Sequence, residues 1–192
     1  MILVVGRPGL DEQGRLFGGA GLVAQAAAET GARVELVGAV GDDADGDAVA
    51  LGLARAGIGH AALLRDPAGT TPRRGADGGR LPRLEAADLE LGLSYLTECR
   101  VIVIAEPLDA AALGVAAEAA SYHGAALVVV ASAGAEQLKL PAAATVLEAP
   151  PGDDGPFAAL IGRYAAQLDA GRSAPDAWEE ALASTSWEST AE

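Results

Sequence analysis

Two glycine-rich segments in the first quarter of the chain have the composition of a site that holds a small polar ligand. Gly18 and Gly19 stand directly before one helical pattern, and Gly41-Asp42-Asp43 stands directly before another. Backbone amides without a Cβ beside them can approach an anion or a sugar hydroxyl closely, and a helix N-terminus favours negative charge. These residue types at this spacing predict a binding site built on the first turns of two helices.

Two further carboxylates, Asp11 and Glu106, come soon after short apolar runs of strand-like composition. A carboxylate that accepts hydrogen bonds from two hydroxyls suits a sugar. Each of these acids also has an ordinary structural role, because turns favour aspartate, a glutamate at a strand end is usually solvated, and an aspartate before a helix, such as Asp43, is usually its cap. The residues alone leave both interpretations open.

These side chains need an alternation of strands and helices to bring them to one edge of a sheet. Short apolar runs predict strands over 2–5, 34–38, 101–105 and 126–131, with a weaker one over 145–148. Ala-rich runs of helical period predict helices over 20–30, 45–56, 86–96, 108–123, 156–168 and 174–183. This alternation is typical of an α/β domain with a mostly parallel sheet. The breaker-rich stretch 65–82 interrupts it and predicts a loop or the remnant of a larger element.

Length and charge limit the classes of partner. The 192 residues predict one domain over 1–183, followed by a flexible tail over 184–192. A net charge of −14 disfavours nucleic acid and anionic membrane surfaces as partners. A single cysteine, Cys99, and the lack of a long apolar run predict a cytoplasmic protein. The two histidines are isolated from other metal-ligating residues, so no metal site is expected.

The stretch from Phe17 to Gly46 resembles the N-terminal motif of the ribokinase, or PfkB-type, carbohydrate kinase family. In that family a Gly-Gly turn opens a helix and a V-G-D-D-x-x-G segment follows. Shorter similarities occur at Gly57-Ile58-Gly59, at Thr70-Thr71 and over 168–173. The resemblance implies a shortened member with a three-layer ribokinase-like fold, a mostly parallel sheet and a lid that is largely absent.

The resemblance also implies the site and its ligands. A small polar molecule such as a sugar is expected to contact the residues that match the family's sugar side, namely Asp11, Gly18, Gly19, Asp43 and Glu106. An active member would use ATP and Mg²⁺. Leu22 stands where the family places an asparagine, which departs from ordinary sugar recognition.

The C-terminal half departs further from the family's pattern. The family carries a G-A-G-D segment whose amides form an anion hole and whose aspartate deprotonates the acceptor hydroxyl. Alignment without a gap places Gly155-Pro156-Phe157-Ala158 on this motif, so that Ala158 replaces the base. One extra helical turn instead places 150–153 there, which makes Asp153 the catalytic residue and Gly152 and Gly155 the cofactor-binding residues. An acidic helix cap with proline in the first turn is the structural alternative.

These departures favour a degenerate carbohydrate kinase homologue that has impaired phosphoryl transfer and acts as a binding or assembly module, without a cofactor. The alternative is an active ATP-dependent sugar or nucleoside kinase with Asp153 as base and with ATP and Mg²⁺. A homodimer is a further hypothesis, because a sheet edge left uncovered by a missing lid tends to become buried.

Overall fold

A six-stranded sheet in which all neighbouring strands run parallel lies at the centre of the molecule. The computed structural model describes residues 1–76, 79–131, 140–141, 143–150 and 155–185. The strands, in chain order, are β1 (Ile2–Gly6), β2 (Gly9–Leu10), β3 (Leu16–Phe17), β4 (Val34–Gly41), β5 (Gly59–Asp66), β6 (Val101–Ile104), β7 (Ala126–Ala131) and β8 (Thr145–Glu148). The main sheet has the order β5-β4-β1-β6-β7-β8, and β2 and β3 form a separate antiparallel pair.

Helices cover both faces of the main sheet. They are α1 (Gly18–Glu29), α2 (Ala44–Arg55), α3 (Ala86–Tyr95), α4 (Ala110–His123), α5 (Pro156–Asp169) and α6 (Ala174–Ser184). Because side chains alternate along a strand, Ile2 and Val4 pack against α1, α2, α5 and α6, whereas Leu3 and Val5 pack against α3 and α4. The three-layer α/β arrangement is therefore confirmed. No helix within the described residues is long and apolar enough to cross a membrane.

Five of the six strands of the main sheet and all six helices of the described chain were predicted from the sequence, whereas β5 and the short strands β2 and β3 were missed. The apolar part of β5 is only Ala61 to Leu64, and this outermost strand is half-exposed along most of its length, so neither alternation nor a long apolar run marks it. The predicted loop over 65–82 also begins inside this strand, which ends at Asp66. At the other end of the chain, α6 and the buried Thr185 reach two residues into the predicted tail, and 186–192 lie outside the described residues.

A small layer of extended chain lies on the carboxyl side of the main sheet. The amide of Leu10 donates to the carbonyl of Pro72 (3.0 Å), and the amide of Arg74 donates to the carbonyl of Leu10 (2.9 Å). The segment from Pro72 to Arg74 thereby runs beside the β2–β3 pair. Together they lie against the first turns of α1 and α2.

A close contact between α1 and α5 fixes the relation between their N-termini. A Cβ on Gly162 of α5 would lie 2.5 Å from the carbonyl oxygen of Val23 and 2.9 Å from the amide nitrogen of Ala27, both in the backbone of α1. Backbone atoms cannot move aside as a flexible side chain can, so only glycine fits at this position. The two helices therefore pack with their axes unusually close together.

Gly162→Ala is expected to lower the free energy of unfolding by about 1–3 kcal/mol, because the overpacking outweighs the higher helix propensity of alanine. Gly114→Ala in α4 is the matched control, since a Cβ there meets no atom within 4 Å. The control should raise stability by about 0.5–1 kcal/mol. Urea denaturation monitored by circular dichroism measures both values, and equal effects at the two positions would contradict the close contact.

Candidate functional site

The carboxyl ends of β1 and β6 form the point where the strand order of the sheet reverses. From β1 the chain proceeds outward through β4 to β5, and it then returns to β6 on the opposite side of β1. In open α/β sheets, ligands bind in the crevice outside the carboxyl ends of strands at such a point. Arg7 follows β1 and Glu106 follows β6 at this crevice, and α1 begins beside it.

The Gly-Gly turn brings the first turn of α1 against the end of β6. Gly18 has a φ of +76°, which glycine adopts without strain. A Cβ on Gly19 would lie 2.5 Å from the carbonyl oxygen of Ala105, so this position also requires glycine. The two glycines thus place the first-turn amides of α1, which have no partner within the helix, at the crevice.

A pocket of about 190 Å³ lies between the N-termini of α1 and α5. Its lining comes from α1 and its cap, from the chain after β6 and β8, from β7 and from α5: Phe17, Gly18, Gly19, Val23, Ala105, Val130, Ala149, Phe157, Ala158 and Ile161. None of these ten residues carries an ionisable side chain. Beside the pocket, the guanidinium of Arg74 lies 5.1 Å from the centroid of the Phe17 ring.

The two helices that begin at this pocket lack the side-chain caps found on the other helices of the described chain. The N-cap residues of α1 and α5 are Phe17 and Gly155, and the first turn of each helix contains no acidic residue. The N-termini of the other four helices are bonded by acidic or hydroxyl side chains: Asp43, Asp88, Asp109 and Ser173. Among the described residues, no side chain caps α1 or α5, so the first-turn amides of α1 and the positive ends of two helix dipoles face the pocket.

Asp43 lies away from this pocket and holds two segments of chain together. Its carboxylate caps α2 by accepting from the amide of Gly46 (2.7 Å), and it accepts from both the amide (2.9 Å) and the hydroxyl (2.7 Å) of Thr71. The Thr71 hydroxyl in turn accepts from the amide of Gly41 (2.9 Å). Desolvation raises the pKa of Asp43, but these donors together with the charge of Arg65 outweigh it, so the pKa lies below its ordinary value.

Asp11 closes the turn between β2 and β3. Its buried carboxylate accepts from the amides of Gln13 (2.9 Å) and Arg15 (2.8 Å) and from Nε of Arg15 (2.7 Å). The hydrogen bond from the Arg15 amide is the main reason that the pKa of Asp11 lies below its ordinary value. As in Asp43, the oxygens of this carboxylate already accept several internal donors.

Glu106 forms an ion pair with Arg7 across the crevice. Nη1 of Arg7 donates to Oε1 of Glu106, and Nε of Arg7 donates to the carbonyl of Pro82 (2.5 Å). Both side chains are largely buried. Burial raises the pKa of Glu106 above its ordinary value although the Arg7 charge opposes this. The pair joins β1, β6 and the chain before α3 at one place.

The structure thus brings some of the predicted site residues together and separates others. Gly18 and Gly19 line the pocket, Gly155 caps the neighbouring helix α5, and Glu106 lies at the adjoining crevice. Asp11 and Asp43 lie in their own turns. Gly152 and Asp153 fall outside the described residues.

Arg7, Phe17 and Phe157 are parts of the site that the sequence patterns did not indicate. An arginine directly after a buried strand was an available signal for the first. The two phenylalanines precede or begin helices, a position that sequence patterns do not distinguish from ordinary core. Within the described residues, no group of three or more His, Cys, Asp or Glu side chains is placed to hold a metal ion.

Comparison with solved structures shows that the fold of this chain is similar to that of ribokinases. A putative ribokinase II from E. coli in complex with ATP and Mg²⁺ has a TM-score of 0.68 at 13% identity, over 94% of this chain and 89% of that chain. Arabidopsis thaliana ribokinase complexed with ribose and ATP has a TM-score of 0.70 at 14% identity, over 96% and 91%. Fructokinase from Xylella fastidiosa with bound ATP has a TM-score of 0.53 at 16% identity, over 95% and 68%.

These identities show the fold alone, and the fold expected from the sequence resemblance is thereby confirmed. No model of a protein family and no curated protein matches the sequence.

Asp43→Ala is expected to lower the free energy of unfolding at pH 7 by about 2–4 kcal/mol, because it removes a helix cap and leaves the buried Thr71 without its acceptor. Asp43 has a lowered pKa in the folded state, so its stabilisation is complete above the unfolded value near ~3.9 and is lost as the pH falls through the folded value. The difference in the free energy of unfolding between wild type and variant should therefore become smaller at acidic pH. Asp42→Ala, at the exposed neighbouring position, should cost about 0–0.5 kcal/mol in the same urea titrations.

Arg7→Met is expected to destabilise the fold by about 1–3 kcal/mol at pH 8, less than the loss of a fully buried partner costs. The folded pKa of Glu106 is already raised, so stability is lost as the pH rises from the unfolded value near ~4.3 through the folded value. Removal of Arg7 raises the folded pKa further and should extend this loss towards neutral pH.

Denaturation at pH 5 and pH 8 measures this dependence. The double variant Arg7→Met/Glu106→Gln should lose the extra pH dependence, and Arg172→Met, which breaks an exposed pair with Glu180, should cost under about 0.5 kcal/mol. An unchanged pH profile in Arg7→Met would refute the role assigned to the pair.

Proposed function

We propose that this chain is a carbohydrate kinase homologue that binds a small polar molecule, such as a sugar, and has lost efficient phosphoryl transfer. The observation that carries the proposal is that the described residues lining the pocket between α1 and α5 are all uncharged. Deprotonation of an acceptor hydroxyl requires a base within hydrogen-bond reach, directly or through one water. None of the ten described lining residues supplies one, which favours a binding or assembly module.

The start of α5 supports the same proposal. Alignment without a gap puts Ala158 at the position of the family's base, and Ala158 lines the pocket. Pro156 at the first turn of α5 lacks the amide hydrogen that an anion hole would use. In this alignment, two of the groups that phosphoryl transfer needs are replaced by groups that cannot do the same chemistry.

ATP and Mg²⁺ are bound in the similar ribokinase II structure. The pocket of this chain has features that suit phosphate groups but none that suit Mg²⁺ among its described lining residues. The first turn of α1, whose N-cap residue Phe17 makes no side-chain cap, suits phosphate oxygens. Mg²⁺ in nucleotide sites is held by one or two carboxylates together with the phosphates, and no described lining residue has a carboxylate. The pocket therefore suits a small hydroxyl-bearing or anionic ligand better than a magnesium nucleotide.

The lining also explains how such a ligand would be held. Most ligand pockets are largely apolar, with a few polar groups that fix orientation. Phe17 and Phe157 supply flat apolar surfaces, and the amides of the two helix N-termini supply hydrogen-bond donors. A sugar, which has apolar faces and a rim of hydroxyls, combines both requirements.

An active kinase is the second candidate. Asp153 lies two residues before Gly155, the N-cap of α5, and the fold is shared with ribokinases that bind ATP. Under this alternative Asp153 is the base, and Asp11 and Glu106 hold the acceptor. Both carboxylates would first have to exchange their internal donors for those of the substrate.

A coupled assay with ATP, Mg²⁺ and a panel of sugars and nucleosides distinguishes the two candidates. We expect turnover of the wild type to be no higher than that of Asp153→Ala, and we expect at least one sugar to raise the melting temperature of both proteins. Robust turnover that Asp153→Ala abolishes would establish the active kinase instead. Calorimetric titration with ATP gives a second readout, because tight nucleotide binding contradicts the proposal. Phe157→Ala should weaken sugar binding about tenfold, whereas Leu182→Ala on the exposed side of α6 should leave it unchanged.

A further inference from the structure

Within the described residues, no strand pairs with the outer edge of β5, the outermost strand of the main sheet on its side. The charged residues of β5, Arg65 and Asp66, stand at its carboxyl end, and its eight residues contain neither proline nor lysine. Proteins commonly protect such edges with these residues or with very short strands, because the unpaired amides and carbonyls can pair with another chain. The central residues of β5, Ala61 to Leu64, are apolar and at most half-buried. This edge is therefore suited to pairing with a further strand.

An apolar groove adjoins the edge on the side of α3. It has a volume of about 140 Å³ and is lined by residues of β5 and α3 and by the residue after α3: Ala61, Ala62, Leu64, Leu91, Gly92, Tyr95 and Leu96. Leu91 and Tyr95 are 52% and 78% exposed, and their spacing of four residues puts them on one side of the helix. A Cβ on Gly92 would lie 2.8 Å from Val37 Cγ1, so α3 sits close against the sheet beside this edge.

Charge restricts the partner that this surface can accept. The chain carries a net charge of −14, so two copies repel each other wherever acidic surfaces meet. None of the seven groove residues is charged. The surface is thus one of the places at which a second copy can approach without that repulsion.

We propose that β5 and α3 form a two-fold interface between two copies of this chain, in which the β5 strands pair antiparallel about Leu63. A two-fold axis perpendicular to the sheet keeps each face on its own side, so the α3 helices of both copies lie on the same face. This register puts Ala62 of one copy opposite Leu64 of the other. The two-fold axis generates two such pairs, and each combines a small side chain with a large one. Leu91 and Tyr95 of the two copies then meet above the paired strands.

A second copy covers this surface more completely than an extended peptide does. A peptide strand would pair with the edge but would leave the exposed side of α3 in water, whereas a second copy supplies both a strand and a helix. An eight-residue strand is about 26 Å long, and a sheet with one helix layer is about 20 Å thick. The interface then buries on the order of 500 Å² per copy, close to the lower limit for a specific complex. The dimer is accordingly expected to dissociate in the micromolar range.

Sedimentation velocity over about 1–200 μM protein tests the proposal, and the result is independent of whether the pocket binds a sugar or supports turnover. We expect a reversible monomer–dimer equilibrium for the wild type. Tyr95→Glu places one new charge on each copy at the interface, so the dissociation constant should rise about 100-fold, as two tenfold effects. Tyr122→Glu is the matched control, because Tyr122 is an 87% exposed tyrosine on α4. A monomeric wild type at all concentrations, or a dimer unaffected by Tyr95→Glu, would overturn the proposal.

Cysteine cross-linking tests the register separately. Leu63→Cys should give a disulfide-linked dimer under mild oxidation, because residue 63 of one copy lies opposite residue 63 of the other copy at the two-fold axis. Val146→Cys, on β8 at the opposite edge of the sheet, should give none. The buried Cys99 provides little background. Cross-linking through position 146 but not through position 63 would assign the interface to the other edge and overturn the proposal.

Discussion

The first turn of α1 lies so close to the end of β6 that a methyl group on Gly19 would reach within 2.5 Å of the carbonyl oxygen of Ala105. The position of the candidate site depends on this close contact between the first turn of α1 and the end of β6. Gly6 extends the same constraint into β1, since a Cβ there would lie 2.9 Å from the Cβ of Ala20. Small residues thereby let a helix N-terminus reach the place where the strand order reverses, and a larger residue at either position would push the amides of α1 away from the crevice.

The distribution of helix caps follows from the position of each N-terminus. Where α2 begins, Asp43 satisfies the helix amides and also binds Thr71, so this end serves the architecture. Where α1 and α5 begin, the N-cap residues are Phe17 and Gly155, and neither has a side-chain acceptor that could cap its helix. An uncapped helix end normally costs stability unless another acceptor is present. Both α1 and α5 begin at the same pocket, where a bound ligand could offset the stability lost through the missing side-chain caps.

The sequence predicted the inner sheet and the helices because their patterns are local. A run such as 101–105 is apolar on both faces, as a central parallel strand must be, and an Ala-rich helix shows its period directly. The edge strand β5 escaped prediction because its burial depends on which strand lies beside it. The same limit applies to the site. Gly18 and Gly19 could be placed from their spacing, whereas the pairing of Arg7 with Glu106 joins positions 99 residues apart that no local pattern connects.

Residue type alone also does not reveal how many further hydrogen bonds a carboxylate can accept in the folded protein. Asp11 and Asp43 each accept three internal donors, and Glu106 is held by the guanidinium of Arg7. A ligand hydroxyl that bound to any of them would replace a charge-assisted bond that is already made, so the net gain would be small. In the part of the chain that the structure describes, no side chain caps the first turn of α1 or of α5. Under the proposed function, affinity for a ligand would come mainly from backbone donors and from the apolar surfaces of Phe17 and Phe157, so selectivity would depend more on ligand shape than on carboxylate contacts.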